Sequence, residues 1–182
     1  TVCDEVYRTL MNMRWQPNLK IVPHYESEPL YIEAIKNSIS KKVNEINWEP
    51  DLIVASYHGI PKKYFDKGDP YHCYCHKTTR LISEKYSNIK IITTFQSRFG
   101  PEEWLQPYTD KTLESLPKEG KKNILVICPG FSSDCVETLE EISIQGKESF
   151  MKSGGENFEM IPCLNDSDDH IALIKHLVLE NI

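Results

Sequence analysis

Short runs of apolar residues, many of them β-branched, recur along the chain between longer stretches of mixed polarity. A nearly continuous apolar run is typical of a strand in a parallel sheet, because helices cover both faces of such a sheet. The five runs with this character are residues 19–23, 51–56, 90–95, 123–128 and 158–162. Each is therefore predicted to form a strand.

The stretches between these runs favour helices. From Leu30 to Ile46 the apolar side chains repeat close to every 3.6 residues, which places them on one face of a helix. The first residues of the chain also show a helical pattern, and the other helix candidates are residues 109–116, 136–150 and 168–179. Alternating strands and helices predict an α/β fold with an open, doubly wound parallel sheet.

The composition sets limits on size and partners. A chain of 182 residues, 40% of them hydrophobic, can bury one good core and part of a second. The formal net charge of −6 argues against a nucleic-acid-binding groove, which needs a basic face. Residue 1 is Thr and not Met, so we expect sequence to be missing upstream.

Location and redox state follow from what the sequence lacks. No apolar run approaches the roughly 20 residues needed to cross a bilayer, and no signal-peptide pattern is present. The six cysteines do not form a dense, evenly spaced disulfide framework. We therefore predict a cytoplasmic protein with reduced thiols, in which Cys128 and Cys163, within strand-like runs, are buried and inert.

The segments that follow the strands are the places to look for a site, because ligands of open α/β sheets bind beyond the carboxyl ends of the strands. His58 follows the second run, in the segment Ser56-Tyr57-His58-Gly59-Ile60-Pro61. An imidazole can exchange protons near neutral pH, which suits a catalytic acid or base. The alternative is a histidine hydrogen-bonded beneath a loop.

A long loop, residues 96–107, follows the third run and contains Gln96, Ser97 and Trp104. Loops of this length inside a compact domain are more often functional than idle. Trp104 could form the wall of a pocket for a flat apolar ligand, or it could be a packing anchor. The sequence leaves both readings open.

After the fourth run, Asp134 and Glu137 have the spacing of a helix N-cap and its third residue, so Glu137 could be a capping residue. Glu137, Glu141 and Gln145 are also spaced four apart, which aligns their oxygens along one helical stripe. Such a stripe could carry protons or a hydrated metal ion. A solvated acidic face has the same spacing, and spacing alone favours it.

Residues 71–76 bring together four potential metal ligands, which are His72, Cys73, Cys75 and His76. Two cysteines separated by one residue are too close for a zinc ribbon, and on a helix they would point apart. The segment is therefore either a metal site or an ordinary exposed and half-buried part of a helix.

Taken together, these segments resemble the C-terminal half of a ferrochelatase. The resemblance covers most of the chain and rests on five motifs in the same order, which are residues 56–61, 67–71, 94–100, 104–110 and 128–139. It implies an enzyme that inserts Fe²⁺ into protoporphyrin IX to form protohaem, in the last step of haem biosynthesis.

The resemblance also implies an organisation. Ferrochelatases consist of two similar four-stranded, Rossmann-like α/β domains with the porphyrin cleft between them. On this basis residues 1–30 are the end of the first chelatase-like domain, residues 31–165 form the second, and residues 166–182 form a C-terminal helix. The N-terminal half also supplies cleft residues, so we do not expect the isolated fragment to turn over.

The family motifs assign roles to particular residues. His58 and Glu137 match the catalytic pair that faces across the cleft, with His58 as proton acceptor and Glu137 as the acid/base and metal-guiding partner. His58, Glu137 and Glu141 are the expected contacts of the metal ion, and the last of these lies on a helix with a π-type distortion. Many relatives carry an acid where this chain has Gln145. The expected substrate-binding residues are Gln96, Ser97 and Trp104.

The resemblance leaves some alternatives open. Fe²⁺ is expected as a substrate, and no 2Fe–2S cluster is expected, although Cys73 and Cys75 are candidate ligands. Insertion of iron into coproporphyrin, another tetrapyrrole chelatase activity, or a non-catalytic haem- or metal-binding module around residues 72–76 are the other readings. Relatives are often loosely bound to membranes, so peripheral association with the inner membrane stays open, as does the oligomeric state.

Overall fold

The computed structural model describes residues 2–182, and its centre is a four-stranded sheet in which every pair of neighbouring strands is parallel. The order across the sheet is β2-β1-β3-β4. The strands are Leu52–His58 (β1), Ile91–Gln96 (β2), Asn123–Ile127 (β3) and Asn157–Met160 (β4). Four of the five predicted strands and the α/β fold class are thereby confirmed.

Helices connect the strands and cover the sheet. The α-helices are Val2–Met11 (α1), Pro29–Glu45 (α2), Lys62–Asp66 (α3), Tyr71–Lys85 (α4), Thr109–Ser115 (α5), Val136–Leu139 (α6), Lys147–Lys152 (α7) and Asp168–Leu179 (α8). A 3₁₀ turn, Leu116–Glu119, follows α5. The helix predicted over residues 136–150 is divided, because a π-helical segment, Glu141–Gly146, separates α6 from α7.

Alternate residues of each strand enter two different hydrophobic clusters, one on each face of the sheet. Ile53 and Leu125 point to the face covered by α2, α4 and α8, where Ile39, Ile82 and Leu173 are buried against them. The neighbouring strand residues point to the other face, which is covered by α5, the π-helix and α7. The buried residues of that face include Val54, Val126, Leu113, Ile142 and Phe150. Apolar residues are therefore needed along the whole strand.

The strand order creates a topological switch point. From β1 the chain moves outward to β2 and then crosses back to β3 on the other side of β1. Connections on either side of β1 therefore leave in opposite directions and open a crevice beyond the carboxyl ends of β1 and β3. His58 is at the end of the first of these strands, and Glu137 lies in the segment that follows the second.

The strand predicted at residues 19–23 is wrong. The residues of this segment are exposed, and among residues 2–182 no strand pairs with them. β-Branched residues favour an extended backbone, but a strand also needs a neighbour that accepts and donates its backbone hydrogen bonds. Residues 19–23 instead form no regular secondary structure and lie in the connection from α1 to α2.

Within residues 2–182, no helix has the length and apolar character needed to cross a membrane. The cytoplasmic location stays a prediction. So does the division of the chain at residues 30 and 165.

Candidate active site beyond the strand ends

His58 is the last residue of β1 and pairs with Gln96 at the end of β2. Its side chain is partly exposed, and the Nδ1 atom lies 2.6 Å from the carbonyl oxygen of Gly59. Because a carbonyl oxygen only accepts hydrogen bonds, Nδ1 carries the hydrogen in the neutral ring. The Nε2 lone pair is therefore free to accept a proton or to contact a metal ion.

The backbone around His58 is held on both sides. Tyr71, the first residue of α4, donates its hydroxyl to the His58 carbonyl at 2.9 Å. The backbone N–H of Gly59 donates to the Gln96 carbonyl at 2.8 Å. A Cβ atom on Gly59 would lie only 2.9 Å from that carbonyl oxygen and 3.2 Å from the Trp104 ring, so glycine is required at this turn.

The loop after β3 is anchored through Asp134. Its carboxylate accepts hydrogen bonds from the Asn165 amide at 2.7 Å and from the Cys163 backbone N–H at 3.1 Å. Burial acts to raise the pKa of Asp134, but these hydrogen bonds outweigh it, so the pKa is lower than usual. At neutral pH the carboxylate is therefore ionised and ties the loop to the segment after β4.

The predicted N-cap at Asp134 is wrong by one residue. Helix α6 begins after Cys135, whose backbone N–H donates to the Thr138 hydroxyl at 3.0 Å. Asp134 is instead engaged by Asn165 and Cys163, which lie far from it in sequence. Thr138 occupies the third helical position, so Glu137 is not needed as a capping partner.

Glu137 lies in the first turn of α6 with a partly exposed side chain. Its pKa is lower than usual, chiefly because the Cys135 side chain donates a hydrogen bond to the carboxylate. The positive charge that His58 can carry also contributes to lowering this pKa. The two predicted catalytic side chains are thus close enough to interact electrostatically across the end of the sheet.

Gln96 connects three parts of the site from below. Its amide Nε2 donates to the Glu137 carbonyl at 2.6 Å, and its Oε1 accepts from the Ser56 hydroxyl at 2.7 Å. The side chain is only 3% exposed. The structure therefore places Gln96 beneath the site, where it joins the ends of β1 and β2 to α6.

Glu141, the first residue of the π-helix, is clamped by the start of the long loop. Its two carboxylate oxygens accept from the Ser97 backbone N–H at 2.6 Å and from the Ser97 hydroxyl at 2.5 Å. Ser97 has a φ of 62°, which is uncommon for a residue other than glycine. Strained backbone of this kind is concentrated at functional sites.

The predicted stripe of oxygens is only partly formed. Glu141 contacts Ser97 and also lies 3.3 Å from the Gln96 amide nitrogen. Gln145 is exposed and donates to Glu140 at 3.2 Å, so it does not continue the contact from Glu141. The π-helix changes the angular spacing of these residues, which a calculation with 3.6 residues per turn cannot anticipate.

Trp104 is packed and not open to a ligand. It is 5% exposed, and its indole N–H donates to the Phe99 carbonyl at 3.0 Å. The Phe99 ring, which is 74% exposed, lies against it with ring centres 5.0 Å apart. Phe99 is therefore the aromatic surface that this loop presents to solvent, and a direct contact of Trp104 with substrate stays a prediction.

A sequence model described as Ferrochelatase matches residues 1–182. The chain belongs to the ferrochelatase family. It is 57% identical over 180 residues to a ferrochelatase of Rhizobium meliloti (strain 1021), which covers 98% of this chain and 53% of that protein. The ferrochelatases of Allorhizobium ampelinum and Agrobacterium fabrum are 56% and 51% identical over the same length. The chain spans about half the length of these relatives.

In this ferrochelatase-family chain, the cysteines differ in how deeply they are buried. Cys128 and Cys163 are buried, as predicted, and burial raises the pKa of both thiols, so their inertness stays a prediction that this environment supports. On α4, Cys73 is exposed whereas Cys75 is buried, with its pKa raised to about 12. The two therefore point apart, as predicted for a helix. Within residues 2–182, no group of three or more His, Cys, Asp and Glu side chains converges as a metal site would require.

The sequence patterns assigned no individual role to several residues that support this site, although Tyr71 lies within one of the family motifs. Tyr71 supports His58, while Asn165 and Cys163 fix the loop through Asp134. Each is distant in sequence from the residue that it holds. Cys135 is only two residues before Glu137, so the two are close in sequence. Their spacing nevertheless did not indicate that the Cys135 thiol contacts the Glu137 carboxylate.

Replacing Gln96 with Leu should destabilise the chain and remove the support that Gln96 gives to the backbone at Glu137. The change removes both hydrogen bonds and leaves the Glu137 carbonyl and the Ser56 hydroxyl without this partner, at a cost of about 1–3 kcal/mol in unfolding free energy. Urea unfolding would measure this loss. Gln16→Leu, a change of an exposed glutamine, is the matched control and should alter stability by less than about 0.5 kcal/mol. Equal losses in both variants would contradict the positioning role.

Proposed function

We propose that the protein to which this chain belongs is a ferrochelatase that inserts Fe²⁺ into protoporphyrin IX to form protohaem. One observation carries the proposal: His58 ends β1 and Glu137 follows the adjacent strand β3 at the switch point, where the charge that His58 can carry helps to lower the pKa of Glu137. Metal insertion needs a base for the pyrrole protons and a carboxylate for the positive charge of the metal. The two residue types supply these two functions.

His58 is the proposed proton acceptor. Its Nδ1–H is engaged by the Gly59 carbonyl, so the ring presents Nε2 with a free lone pair. A neutral imidazole in this orientation can take a pyrrole N–H proton as the porphyrin binds the metal. The hydrogen bond to the Gly59 carbonyl then stabilises the positive charge that the ring acquires.

Glu137 is the proposed partner for the metal ion and for proton release. A carboxylate with a lowered pKa stays ionised at neutral pH and attracts Fe²⁺. Glu141 lies one helical turn further on, at the edge of a cavity of about 430 Å³ that is also lined by Ser97, Arg98 and Gln145. We propose that this cavity serves as the route by which protons or the hydrated ion pass between Glu137 and solvent.

The porphyrin itself needs more surface than this chain provides. A cavity of about 400 Å³ lies between residues 22–26 and the loop at residues 129–132, beside Tyr31 and Tyr71. This volume is at the low end for a ligand site, and a macrocycle requires a larger cleft. The other half of the full-length protein is proposed to complete it, so the isolated chain should be inactive.

Porphyrin metallation by the full-length protein tests the proposal. Anaerobic incubation with Fe²⁺ and either protoporphyrin IX or coproporphyrin III should give protohaem faster than the coproporphyrin product, as followed by absorbance. Residues 1–182 alone, at the same concentration, should give no product above the uncatalysed rate. Preference for coproporphyrin would overturn the substrate assignment, and absence of metallation of both by the full-length protein would overturn the function.

A further inference from the structure

Two imidazole rings lie side by side on α4, outside the candidate active site. His72 and His76 are four residues apart, so they occupy the same face of the helix one turn apart. Their ring centres are 4.4 Å apart. Two histidines at this spacing on a helix can both reach one metal ion, as they do in helical zinc motifs.

The separation of the rings suits a particular coordination geometry. A metal ion about 2.1 Å from a ring nitrogen is roughly 3.2 Å from the centre of that ring. Two rings with centres 4.4 Å apart therefore subtend an angle of about 90° at the ion. This angle is that of neighbouring ligands in an octahedron, in which water molecules can fill the remaining positions.

Aromatic neighbours hold the first ring in place. The His72 ring stacks on buried Phe95 with ring centres 5.7 Å apart and an interplanar angle of 20°. The Phe65 ring packs against it at 4.8 Å. Only modest side-chain ordering would then be required on metal binding, because one ligand is already fixed and the other, His76, lies exposed beside it.

The protonation state is also favourable. Partial burial, followed by the nearby charge of His72, lowers the pKa of His76. A ring that is neutral at physiological pH offers its lone pair to a metal ion without first losing a proton. The cationic side chains of this helix that form ion pairs face other partners: Lys77 pairs with Glu26, Arg80 with Glu84 and Lys85 with Glu33.

We propose that His72 and His76 form a binding site for a hydrated divalent transition-metal ion, separate from His58 and Glu137. Imidazole is a good ligand for Fe²⁺, Ni²⁺, Cu²⁺ and Zn²⁺, and it selects against Mg²⁺ and Ca²⁺, which prefer oxygen. Cys73 is the adjacent residue, but it is about 100° further around the helix and does not share this face. The site therefore needs no thiolate.

Titration of the full-length protein with Ni²⁺ tests this proposal. Calorimetry is carried out in a His58→Ala, Glu137→Gln background, so that the candidate active site does not contribute. His76→Gln, which changes an exposed side chain, should weaken one Ni²⁺ site about tenfold or more, because the two rings act as a bivalent ligand. His72→Gln should have the same effect, and Mg²⁺ should not compete.

His176→Gln, on α8, and Cys73→Ser are the matched controls, and both should leave the Ni²⁺ affinity unchanged. Unchanged Ni²⁺ binding in His76→Gln would overturn the proposal, as would loss of binding in Cys73→Ser. Chelatase activity is measured separately in the His58 and Glu137 wild-type background. The Ni²⁺ result is therefore independent of whether the protein inserts iron into porphyrin.

Discussion

Glu137→Gln in the full-length protein should lower kcat for Fe²⁺ insertion by about 10²–10⁴-fold, the usual contribution of a positioned acid or base. Glutamine keeps the size of the side chain but removes the negative charge that is proposed to attract the metal and that interacts with His58. The initial rate of protohaem formation, measured under anaerobic conditions at saturating substrates, gives kcat. The fold should be unaffected, because Glu137 is partly exposed and does not cap its helix.

Glu140→Gln is the matched control. Glu140 is exposed, three residues further along, and its carboxylate accepts a hydrogen bond from Gln145. It should retain nearly the wild-type kcat. A similar loss in both variants would show that the general negative charge of this helix matters and would remove the special role of Glu137.

The same assay applied to His58→Ala separates the two members of the pair. If His58 and Glu137 act together on one step, the double variant should be only slightly slower than the slower single variant. Fully additive losses would indicate that the two residues contribute to separate steps. Wild-type rates in both single variants would contradict the assignment of either residue as catalytic.

Phe150→Ala should reduce the free energy of unfolding by about 3–5 kcal/mol, which is a large part of the stability of a domain of this size. Phe150 is completely buried in α7, with its ring centre 5.8 Å from that of Phe158 on β4. The backbone of Gly155 packs so closely on the Phe150 ring that an added Cβ would lie 2.1 Å from it. Neighbouring atoms therefore have little freedom to close the cavity that alanine would leave.

Phe99→Ala removes the same atoms from a side chain that is 74% exposed, and it should change stability by less than about 0.5 kcal/mol. Urea unfolding of both variants, followed by circular dichroism, measures the difference. Equal effects in the two variants would contradict the described packing of the face covered by α5, the π-helix and α7.

Because α7 directly continues the π-helix, the Phe150 variant should also disturb the position of Glu141.

The elements that could be predicted from sequence are those determined by local patterns. Runs of apolar residues indicated β1 to β4, because a strand covered on both faces needs apolar side chains at every position. The same rule failed at residues 19–23, where the side chains are suited to a strand but no partner strand is present among residues 2–182. Pairing is a property of the fold and is not encoded in the segment.

In the candidate site, too, some features could be predicted from local sequence and others depended on the tertiary structure. Position after a strand made His58 a candidate catalyst, whereas spacing alone favoured a capping or solvated role for Glu137. The family motifs then indicated both residues as the catalytic pair. Only the tertiary structure released Glu137 from a capping role, because Asp134 is occupied by Asn165 from a different loop.

The sequence by itself thus determined the alternation of strands and helices and the family. It also indicated His58 and Glu137 as the candidate catalytic residues. The tertiary structure decided which groups support them: Gln96 beneath α6, Ser97 clamped on Glu141, and Trp104 buried where a ligand contact was expected. The physical reason is that apolar periodicity is a local property, whereas each of these hydrogen bonds joins residues that come together only when the sheet has formed.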